Sequence, residues 1–265
     1  MYSVNYHRAS SVAEAAKLVT SGDAKLLSGG MTLIPAMKTR LAAPSDLVDI
    51  SRIEALKGIK VSGGTVTIGA ATTHAEVAAD ETLKKVAPVV AHLASLIGDP
   101  HVRHRGTIGG SVANNDPAAD YPAALLALAA TVVTNSREIA SEDFFTGLFE
   151  TALEEGEIVT AVRFTAPEKA GYEKFRNPAS RYAMAGVFVA RMKDGKIRVG
   201  VTGAGNRGAY RDGSMENALS VSFTPDALNG IEVDPAGMLS DLHGSAVYRA
   251  NLVKVMARRA VAQIV

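Results

Sequence analysis

The chain has 265 residues, of which 47% are hydrophobic and 21% are charged, which is typical of a globular protein with a sizeable core. Its 28 basic and 27 acidic residues leave a formal charge of +1, which argues against a nucleic-acid partner. The absence of cysteine excludes disulfides, thiolate metal sites and an iron–sulfur cluster held by this chain.

Neither a signal peptide nor a membrane span is expected. The opening residues, Met-Tyr-Ser-Val-Asn-Tyr-His-Arg, lack the apolar core of a signal peptide. The longest apolar stretch covers residues 123–133, well short of the roughly 20 residues that a spanning helix needs. We therefore expect a cytoplasmic protein without membrane insertion.

The first 50 residues have the pattern of a small β-α-β-α-β unit. Apolar alternation predicts strands at residues 4–8, 25–28 and 46–50. Helical spacing predicts a helix between each pair of strands. The second strand runs into Gly29 and Gly30, so this turn lies at the carboxyl end of a strand, where ligands of α/β sheets bind.

A larger α+β unit follows from residue 59. Its predicted strands cover residues 59–61, 66–68, 131–134 and 158–164, the first two as a hairpin. Its predicted helices cover residues 73–79 and 83–97, with an apolar helix ending at residue 130. We interpret residues 106–122 as a dense turn and residues 166–171 as a linker.

Beyond the linker, the pattern predicts a hairpin and then helices. The hairpin strands are residues 184–192 and 196–202, turned by Asp194-Gly195, and two short helices follow at residues 214–219 and 235–239. The last helix, residues 245–265, is amphipathic and is expected to cover the last sheet. Its apolar stripe consists of Val247, Leu252, Val255, Met256, Val261 and Ile264, among the basic residues Arg249, Lys254, Arg258 and Arg259.

Two glycine-containing segments are the candidate ligand sites. Residues 107–122 read Thr-Ile-Gly-Gly-Ser-Val-Ala-Asn-Asn-Asp-Pro-Ala-Ala-Asp-Tyr-Pro, and residues 26–33 read Leu-Leu-Ser-Gly-Gly-Met-Thr-Leu. Paired glycines allow close approach of another group, and their free backbone amides can turn toward an anion. Two such segments, well apart in the chain, predict one extended phosphorylated ligand gripped from two sides.

A dinucleotide fingerprint at residues 203–208 is a weaker interpretation. These residues spell Gly-Ala-Gly-Asn-Arg-Gly directly after a predicted strand. A Rossmann fingerprint requires a helix that opens at the third glycine and an acidic residue roughly 20 positions later. The continuation here, Ala-Tyr-Arg-Asp-Gly-Ser, has turn chemistry, so a loop that ends a strand is favoured.

Histidine and aspartate pairs raise two further possibilities. His101 and His104 have few acidic neighbours, and Pro100 argues against a helix that would align them, so a metal site is disfavoured. Asp116 and Asp120 are candidates for acid–base pairing or for a cation site. A hydrogen bond from one of them to ligand hydroxyls is the preferred interpretation, and turn capping alone explains Asp116.

The two glycine segments resemble the FAD-binding motifs of a known family. Residues 28–33, Ser-Gly-Gly-Met-Thr-Leu, and residues 107–113, Thr-Ile-Gly-Gly-Ser-Val-Ala, are similar to those of the medium, flavin-carrying subunit of molybdenum hydroxylases. The family includes the carbon monoxide dehydrogenase medium subunit and the FAD domain of xanthine dehydrogenase. The resemblance covers essentially the whole chain, with weaker matches at residues 157–159, 172–175 and 203–211.

The resemblance implies an α+β fold. It consists of a two-subdomain FAD-binding fold of the PCMH (vanillyl-alcohol oxidase-like) type, plus a C-terminal α+β domain with a three-stranded antiparallel sheet. The implied boundaries are residues 1–52 for FAD-binding subdomain 1, residues 53–166 for subdomain 2 and residues 171–265 for the C-terminal flavoprotein domain.

FAD is the implied cofactor. Backbone amides of residues 26–33 and 107–111 would hold its pyrophosphate, Asp120 suits ribose or ribityl hydroxyls, and Lys174 suits the flavin or its charge. Tyr182, with Arg181, is expected beside the isoalloxazine ring. The implied cofactor-binding residues are Leu26, Leu27, Ser28, Gly29, Gly30, Met31, Thr32, Leu33, Ile97, Thr107, Ile108, Gly109, Gly110, Ser111, Asp120, Val159, Lys174 and Tyr182. No catalytic side chain and no metal ligand are implied.

The implied function is electron output from a multisubunit hydroxylase. In the family, a large subunit with the molybdenum cofactor oxidises the substrate, and a small subunit with two [2Fe–2S] clusters relays electrons to FAD, which delivers them to an external acceptor. A chain without cysteine fits a separate flavoprotein. The family also implies a dimer of three-chain units, which is a heterohexamer-type assembly.

Three alternatives stay open. Many relatives have Ala at the position of Ser28, His or Gln at the position of Met31, and Asn at the position of Ser111. The residues of this chain alter the polar contacts to the cofactor. These departures leave room for an assembly module of the same fold without flavin. A stand-alone FAD oxidoreductase is the second alternative, and a pyridine-nucleotide dehydrogenase that uses residues 203–208 is the third.

Overall fold

The computed structural model describes residues 1–20 and 22–264, and its first unit is a three-stranded parallel sheet. The elements in chain order are strand β1 (Asn5–Arg8), helix α1 (Val12–Val19), strand β2 (Ala24–Leu27), helix α2 (Leu33–Lys38) and strand β3 (Asp46–Asp49). The strand order is β1-β3-β2, and both neighbouring pairs are parallel. The predicted β-α-β-α-β unit is therefore confirmed, and the carboxyl end of β2 leads directly to Gly29 and Gly30.

The second unit contains a five-stranded antiparallel sheet. Its strands are β4 (Ile59–Ser62), β5 (Thr65–Gly69), β6 (Thr131–Thr134), β7 (Glu138–Ala140) and β10 (Val159–Thr165). Between β7 and β10 in the chain, β8 (Phe145–Gly147) and β9 (Glu150–Thr151) form a separate two-stranded sheet. The sheet order is β4-β5-β10-β6-β7, with every neighbouring pair antiparallel. The predicted hairpin at residues 59–68 is thus confirmed.

Seven helices between these strands carry most of the second core. They are α3 (His74–Ala79), α4 (Glu81–Val86), α5 (Pro88–Ser95), α6 (Pro100–Arg105), α7 (Ile108–Asn114), α8 (Asp120–Ala127) and α9 (Ser141–Phe144) among the described residues. A short 3-10 helix, Glu54–Leu56, precedes β4. Most of the buried apolar side chains of this unit form one continuous cluster between the sheet and the helices.

Two proline-related predictions in this unit are wrong. The helix predicted over residues 83–97 is two helices, α4 and α5, because Pro88 cannot continue a helix but can begin one. Pro100 likewise begins α6 instead of preventing a helix, and Asp99 caps it with its side chain. In both places proline occupies the first helical turn, where its missing N–H is not needed.

The dense turn predicted over residues 106–122 contains helix α7. The Thr107 side chain caps this helix by accepting a hydrogen bond from the Gly110 amide at 3.2 Å. Asn115 ends it in the left-handed region, at φ 42°. Gly109 and Gly110 therefore lie in a helix and not in a turn, because a good cap outweighs the poor helix propensity of glycine here.

The third unit is an antiparallel sheet covered by helices. Its strands are β11 (Lys169–Arg176), β12 (Ala183–Arg191), β13 (Ile197–Thr202) and β14 (Tyr210–Arg211), in that spatial order. The helices are α10 (Gly213–Val221) and α11 (Ala246–Ala262), with short 3-10 helices at Pro225–Leu228 and Pro235–Gly237. The three long strands agree with the predicted sheet, and the two-residue edge strand β14 is additional, since Tyr210 and Arg211 pair with β13.

The predicted linker over residues 166–171 is shorter than expected. The Glu168 amide already donates to the Arg191 carbonyl at 2.9 Å, and β11 begins at the next residue. Backbone pairing with β12 thus starts three residues inside the predicted linker.

Helix α11 confirms the helix predicted over residues 245–265. The last residue of that prediction, Val265, lies outside the described residues. The apolar stripe predicted from the sequence is wrong about the environment of two side chains. Val247 is 67% exposed, whereas Arg249 is buried and donates to the carbonyls of Met184 and Gly203 at 2.7 and 2.9 Å. None of the described helices combines the length and the apolarity that crossing a bilayer requires.

Helix α8 ties the second unit to the third. All eight of its residues are buried, and it packs against β12 and β13. Gly200 on β13 allows this contact, because a Cβ there would lie 2.0 Å from the carbonyl oxygen of Ala123. The Thr202 hydroxyl on β13 donates to the carbonyl of Ala119, the residue just before α8, at 2.6 Å. The first residue of α8, Asp120, is therefore fixed relative to the third sheet.

We predict that Gly200→Ala destabilises the protein by about 1–3 kcal/mol, because the new methyl group overlaps the Ala123 carbonyl. Urea denaturation followed by circular dichroism measures this change in the free energy of unfolding. Gly213→Ala is the matched control, since a Cβ at Gly213 meets no atom within 4 Å. Equal stability of the two variants would show that the α8–β13 contact relaxes without cost.

Candidate functional site

A cleft of about 680 Å³ lies between the first and second units, beside the loop that joins β11 to β12. This volume is in the range of roughly 300–1,000 Å³ that ligand pockets occupy. Both glycine segments line it, the first from the end of β2 and the second from the start of α7. They meet where the hydroxyl oxygens of Ser28 and Thr107, 79 positions apart, form a hydrogen bond of 2.9 Å.

Most of the residues that the sequence assigns to FAD line this cleft. They are Leu26, Leu27, Ser28, Gly29, Gly30, Met31, Thr32, Leu33, Ile97, Thr107, Gly109, Gly110, Ser111, Asp120, Val159 and Tyr182. Ile108 does not, because its side chain is buried in the second core. Lys174 does not either, because it lies behind Asp120. The contact of each residue with FAD stays a prediction.

Gly29 and Gly109 are placed where a larger residue collides with its surroundings. A Cβ at Gly29 would lie 2.1 Å from the carbonyl oxygen of Arg105. A Cβ at Gly109 would lie 2.4 Å from the Cβ of Ala70. Both distances are far below van der Waals contact. Glycine is therefore required at residue 29 for close packing of the first unit on the second, and at residue 109 for packing of α7 on the residues that follow β5.

The first glycine segment has backbone amides available for an anion. Gly30 has φ 73°, a conformation that favours glycine. No described residue accepts a hydrogen bond from the backbone amides of residues 28–32. Successive free amides in a turn at the edge of a sheet form an anion-binding concavity. This arrangement supports the predicted pyrophosphate role of the first segment.

The second glycine segment does not offer its amides in the same way. The Ile108 amide donates to the Thr72 carbonyl at 3.1 Å, and the Gly109 amide donates to the Ala70 carbonyl at 2.9 Å. The Ser111 amide is bonded within α7. These bonds form α7 and attach it to the residues that follow β5, and the pyrophosphate role of residues 107–111 stays a prediction.

Asp120 is a buried carboxylate at the cleft wall, in the first turn of α8. It is 4% exposed and lines the cleft. Its Oδ1 accepts a hydrogen bond from the Tyr172 hydroxyl at 2.5 Å, and Lys174 Nζ lies 2.8 Å from Oδ1 and 3.0 Å from Oδ2. Burial and the Asp120 charge raise the pKa of Tyr172 well above its ordinary value, so the phenol stays protonated and donates. Lys174 thus forms an ion pair with Asp120, and its direct role toward the flavin stays a prediction.

The β11–β12 loop brings Arg181 and Tyr182 to the cleft. The Asn177 amide donates to the Tyr182 carbonyl, and the Arg181 amide donates to the Asn177 carbonyl, both at 2.8 Å. Arg181 adopts φ 62°, which is uncommon for a residue with a side chain. Both residues line the cleft, and Tyr182 remains 47% exposed. An aromatic ring held at the rim by a closed loop can cover one end of a planar ligand.

His74 is a cleft residue that the sequence analysis missed. It is 4% exposed, its ring centroid lies 5.5 Å from that of Tyr121, and its Nδ1 atom has no partner among the described residues. Burial, and less strongly the charge of Arg103, lowers the pKa of His74 to about 4. The ring is therefore neutral at pH 7. The sequence shows only a histidine after a capping threonine, which gives no signal for a binding site.

Asp116 also lines the cleft, and its main role is local. Its side chain accepts a hydrogen bond from the Ala118 amide at 2.9 Å, as expected for turn capping. Burial raises the pKa of its carboxyl group. In residues 1–20 and 22–264, no three His, Cys, Asp or Glu side chains are grouped as metal ligands would be.

The loop at residues 203–208 lies outside the cleft. It connects β13 to β14, and the next helix, α10, begins only at Gly213. The interpretation as a loop is therefore confirmed, and the helix that a dinucleotide fingerprint requires is missing at that point. Its first glycine has φ 80° and packs against the Ala183 carbonyl, which accounts for glycine at residue 203.

Comparisons with known proteins show what the chain is similar to. Residues 2–167 match the family described as the FAD binding domain in molybdopterin dehydrogenase. The chain is 36% identical to the carbon monoxide dehydrogenase medium chain of Hydrogenophaga pseudoflava, over 96% of this chain and 94% of that one. It belongs to the FAD-binding medium subunits of the molybdenum hydroxylases.

Other members of the family show the same extent of similarity. The glyceraldehyde dehydrogenase medium chain of Sulfolobus acidocaldarius is 33% identical, over 98% of both chains. A chain of the reconstituted CO dehydrogenase from Oligotropha carboxidovorans superimposes with a TM-score of 0.91 at 35% identity, covering 99% of this chain and 98% of that chain. These matches confirm the predicted fold class, with its PCMH-type FAD-binding region.

As a medium subunit, the chain binds FAD and is part of a multisubunit oxidoreductase. The cleft fits such a cofactor on structural grounds. It has free backbone amides at residues 28–32, and glycine at residue 29 keeps its two walls in contact without an intervening side chain. Ser28, one of the departures from many relatives, contributes its hydroxyl to that contact.

We predict that His74→Asn lessens the loss of stability between pH 7 and pH 4.5 by about 2–3 kcal/mol. The unfolded chain protonates His74 near pH 6.5, whereas the folded chain does so only near pH 4. Between these values the unfolded state binds the extra proton, so the wild type loses stability as the pH falls. Urea denaturation at both pH values measures the difference.

His92→Asn is the control for this experiment, because His92 is exposed on α5. It should follow the wild-type pH dependence. If His74→Asn also follows the wild type, His74 is not buried as a neutral ring.

Proposed function

We propose that this medium subunit receives electrons from the [2Fe–2S] clusters of a small partner subunit and passes them through FAD to an external acceptor. A large partner subunit with the molybdenum cofactor oxidises the substrate in this proposal, and the three chains form a heterohexamer-type assembly. The lack of cysteine supports the division of labour, because this chain has no thiolate to hold a cluster. Membership in the family supports the chemistry.

The observation that carries the proposal is the shared cleft between the two glycine segments. We assign the FAD pyrophosphate to the free amides of residues 28–32 and the ribose or ribityl hydroxyls to Asp120. The isoalloxazine ring is assigned to the rim at Tyr182 and Arg181. Every one of these groups lies on the wall of one cavity.

When bound, FAD accepts electrons one at a time and delivers them in pairs. The side chains of this chain position the cofactor and do not act on the hydroxylase substrate. Asp120 is already bonded to Tyr172 and Lys174, and burial lowers the pKa of His74 to about 4, which makes it a weak base, so neither is well suited as a general base for an outside substrate. This argues against the stand-alone oxidoreductase.

The three sheets support the boundaries proposed for the domains. Residues 1–52 contain the parallel sheet, residues 53–166 the five-stranded sheet and residues 171–265 most of the third sheet. A cytoplasmic location is also proposed, from a chain that needs no disulfides. The relatives are named for different substrates, carbon monoxide and glyceraldehyde, which supports a substrate site on another subunit.

We predict that the wild-type chain binds FAD and that Gly29→Ala weakens binding by at least about tenfold. The added methyl group overlaps the Arg105 carbonyl and moves the first glycine segment away from the second. Titration followed by flavin fluorescence gives the dissociation constant. Gly237→Ala is the control, because a Cβ at Gly237 meets no atom within 4 Å. Absence of FAD binding by the folded wild type would contradict the proposal.

We further predict that the flavin of the FAD-loaded chain is bleached when the chain is mixed, without oxygen, with a reduced iron–sulfur partner subunit. The flavin takes up the electrons that the clusters release, and stopped-flow absorbance measures the rate. The same chain stripped of FAD serves as the control and should leave the clusters reduced. Flavin that stays oxidised in a formed complex would show that electrons do not follow this route.

A further inference from the structure

Two side chains of β11 converge on Asp120 from behind the cleft wall. Tyr172 is fully buried, Lys174 is 7% exposed, and neither lines the cleft. They stand two residues apart and so project from the same face of the strand. Their polar atoms lie 2.5 Å and 2.8 Å from the same carboxylate oxygen, Oδ1 of Asp120.

The backbone around this contact leaves room for the Tyr172 hydroxyl. Gly186 on β12 lies opposite Lys174 in the strand register. A Cβ at Gly186 would lie 2.7 Å from the hydroxyl oxygen of Tyr172, so a larger residue displaces it. The third sheet is therefore shaped to hold this hydroxyl against the carboxylate.

We propose that Tyr172 is a positioning residue for FAD and acts through Asp120. A carboxylate offers about four lone-pair sites, and the donors from β11 occupy those that point away from the cleft. This fixes the rotation of the carboxylate and leaves its remaining acceptor capacity toward the cleft, where a ligand hydroxyl donates. The inference rests on the proposed function, because it takes the cleft as the FAD site.

The two β11 donors have different parts in this arrangement. Lys174 supplies the positive charge that a buried carboxylate needs, and its removal leaves an unpaired charge that threatens folding. Tyr172 carries no charge and orients the Asp120 carboxylate through its hydrogen bond, and Tyr172→Phe deletes a single oxygen. The phenol therefore reports on orientation alone, and its removal leaves the Asp120–Lys174 pair in place.

The test is a double-mutant cycle on FAD affinity in the full chain. Tyr172→Phe should weaken FAD binding by about tenfold, the size expected for a hydrogen bond to a charged group. In an Asp120→Ala background, the same change should alter the dissociation constant by less than about twofold, because the group on which Tyr172 acts is gone. A merely structural role gives the same loss in both backgrounds and overturns the inference.

Gly186→Ala gives an independent arm that does not depend on folding of the Asp120 variant. It should weaken FAD binding in the wild type, through displacement of the hydroxyl, and have little further effect after Tyr172→Phe. An equal loss of FAD affinity from Gly186→Ala in the wild type and in the Tyr172→Phe variant would also overturn the inference. The absorption spectrum of the bound flavin is recorded for each variant to establish that the cofactor is bound.

Tyr210→Phe is the matched control. The Tyr210 hydroxyl is buried without a partner in the described part of the chain, and Tyr210 lies on β14 away from the cleft. Its loss should leave FAD affinity unchanged. If the wild type binds no FAD, the proposed function itself fails, whereas FAD binding with an additive cycle rejects only the role of Tyr172.

Discussion

The cleft depends on the contact between Ser28 and Thr107. Their hydroxyls meet at 2.9 Å, and beside them Gly29 lies so close to the Arg105 carbonyl that no side chain fits between. This contact joins the end of a parallel strand in the first unit to the cap of α7 in the second. Because the two walls touch at this point, the first segment with its free amides lines the cleft between the two units.

The two glycine segments look alike in sequence and act differently in the structure. In the first, glycine permits a turn with φ 73° and leaves its amides free. In the second, glycine permits α7 to pack against Ala70, and its amides bond to protein carbonyls. One segment is suited to holding an anion, and the other brings the second unit close to it. In the proposed site, the pyrophosphate is assigned to backbone dipoles of the first segment.

The third unit completes the site from the opposite side. Packing of α8 on β13 sets Asp120 at the cleft wall, and β11 supplies Lys174 and Tyr172 to neutralise and orient it. A buried carboxylate without these partners is costly, so the position of Asp120 depends on the C-terminal sheet. This explains physically why a cofactor-binding region is followed, in the same chain, by a sheet that contributes little surface to the cleft.

The sequence alone determined the three units and the glycine segments, because strand alternation, helix spacing and paired glycines are local patterns, and the resemblance of those segments to known motifs indicated the family. It also identified Asp120 and Tyr182 as cleft residues through the resemblance. Only the tertiary structure decided that Lys174 pairs with Asp120, that the amides of α7 are occupied, and that His74 lies neutral in the wall. These properties depend on which groups far apart in the chain become neighbours, and local periodicity carries no information about that.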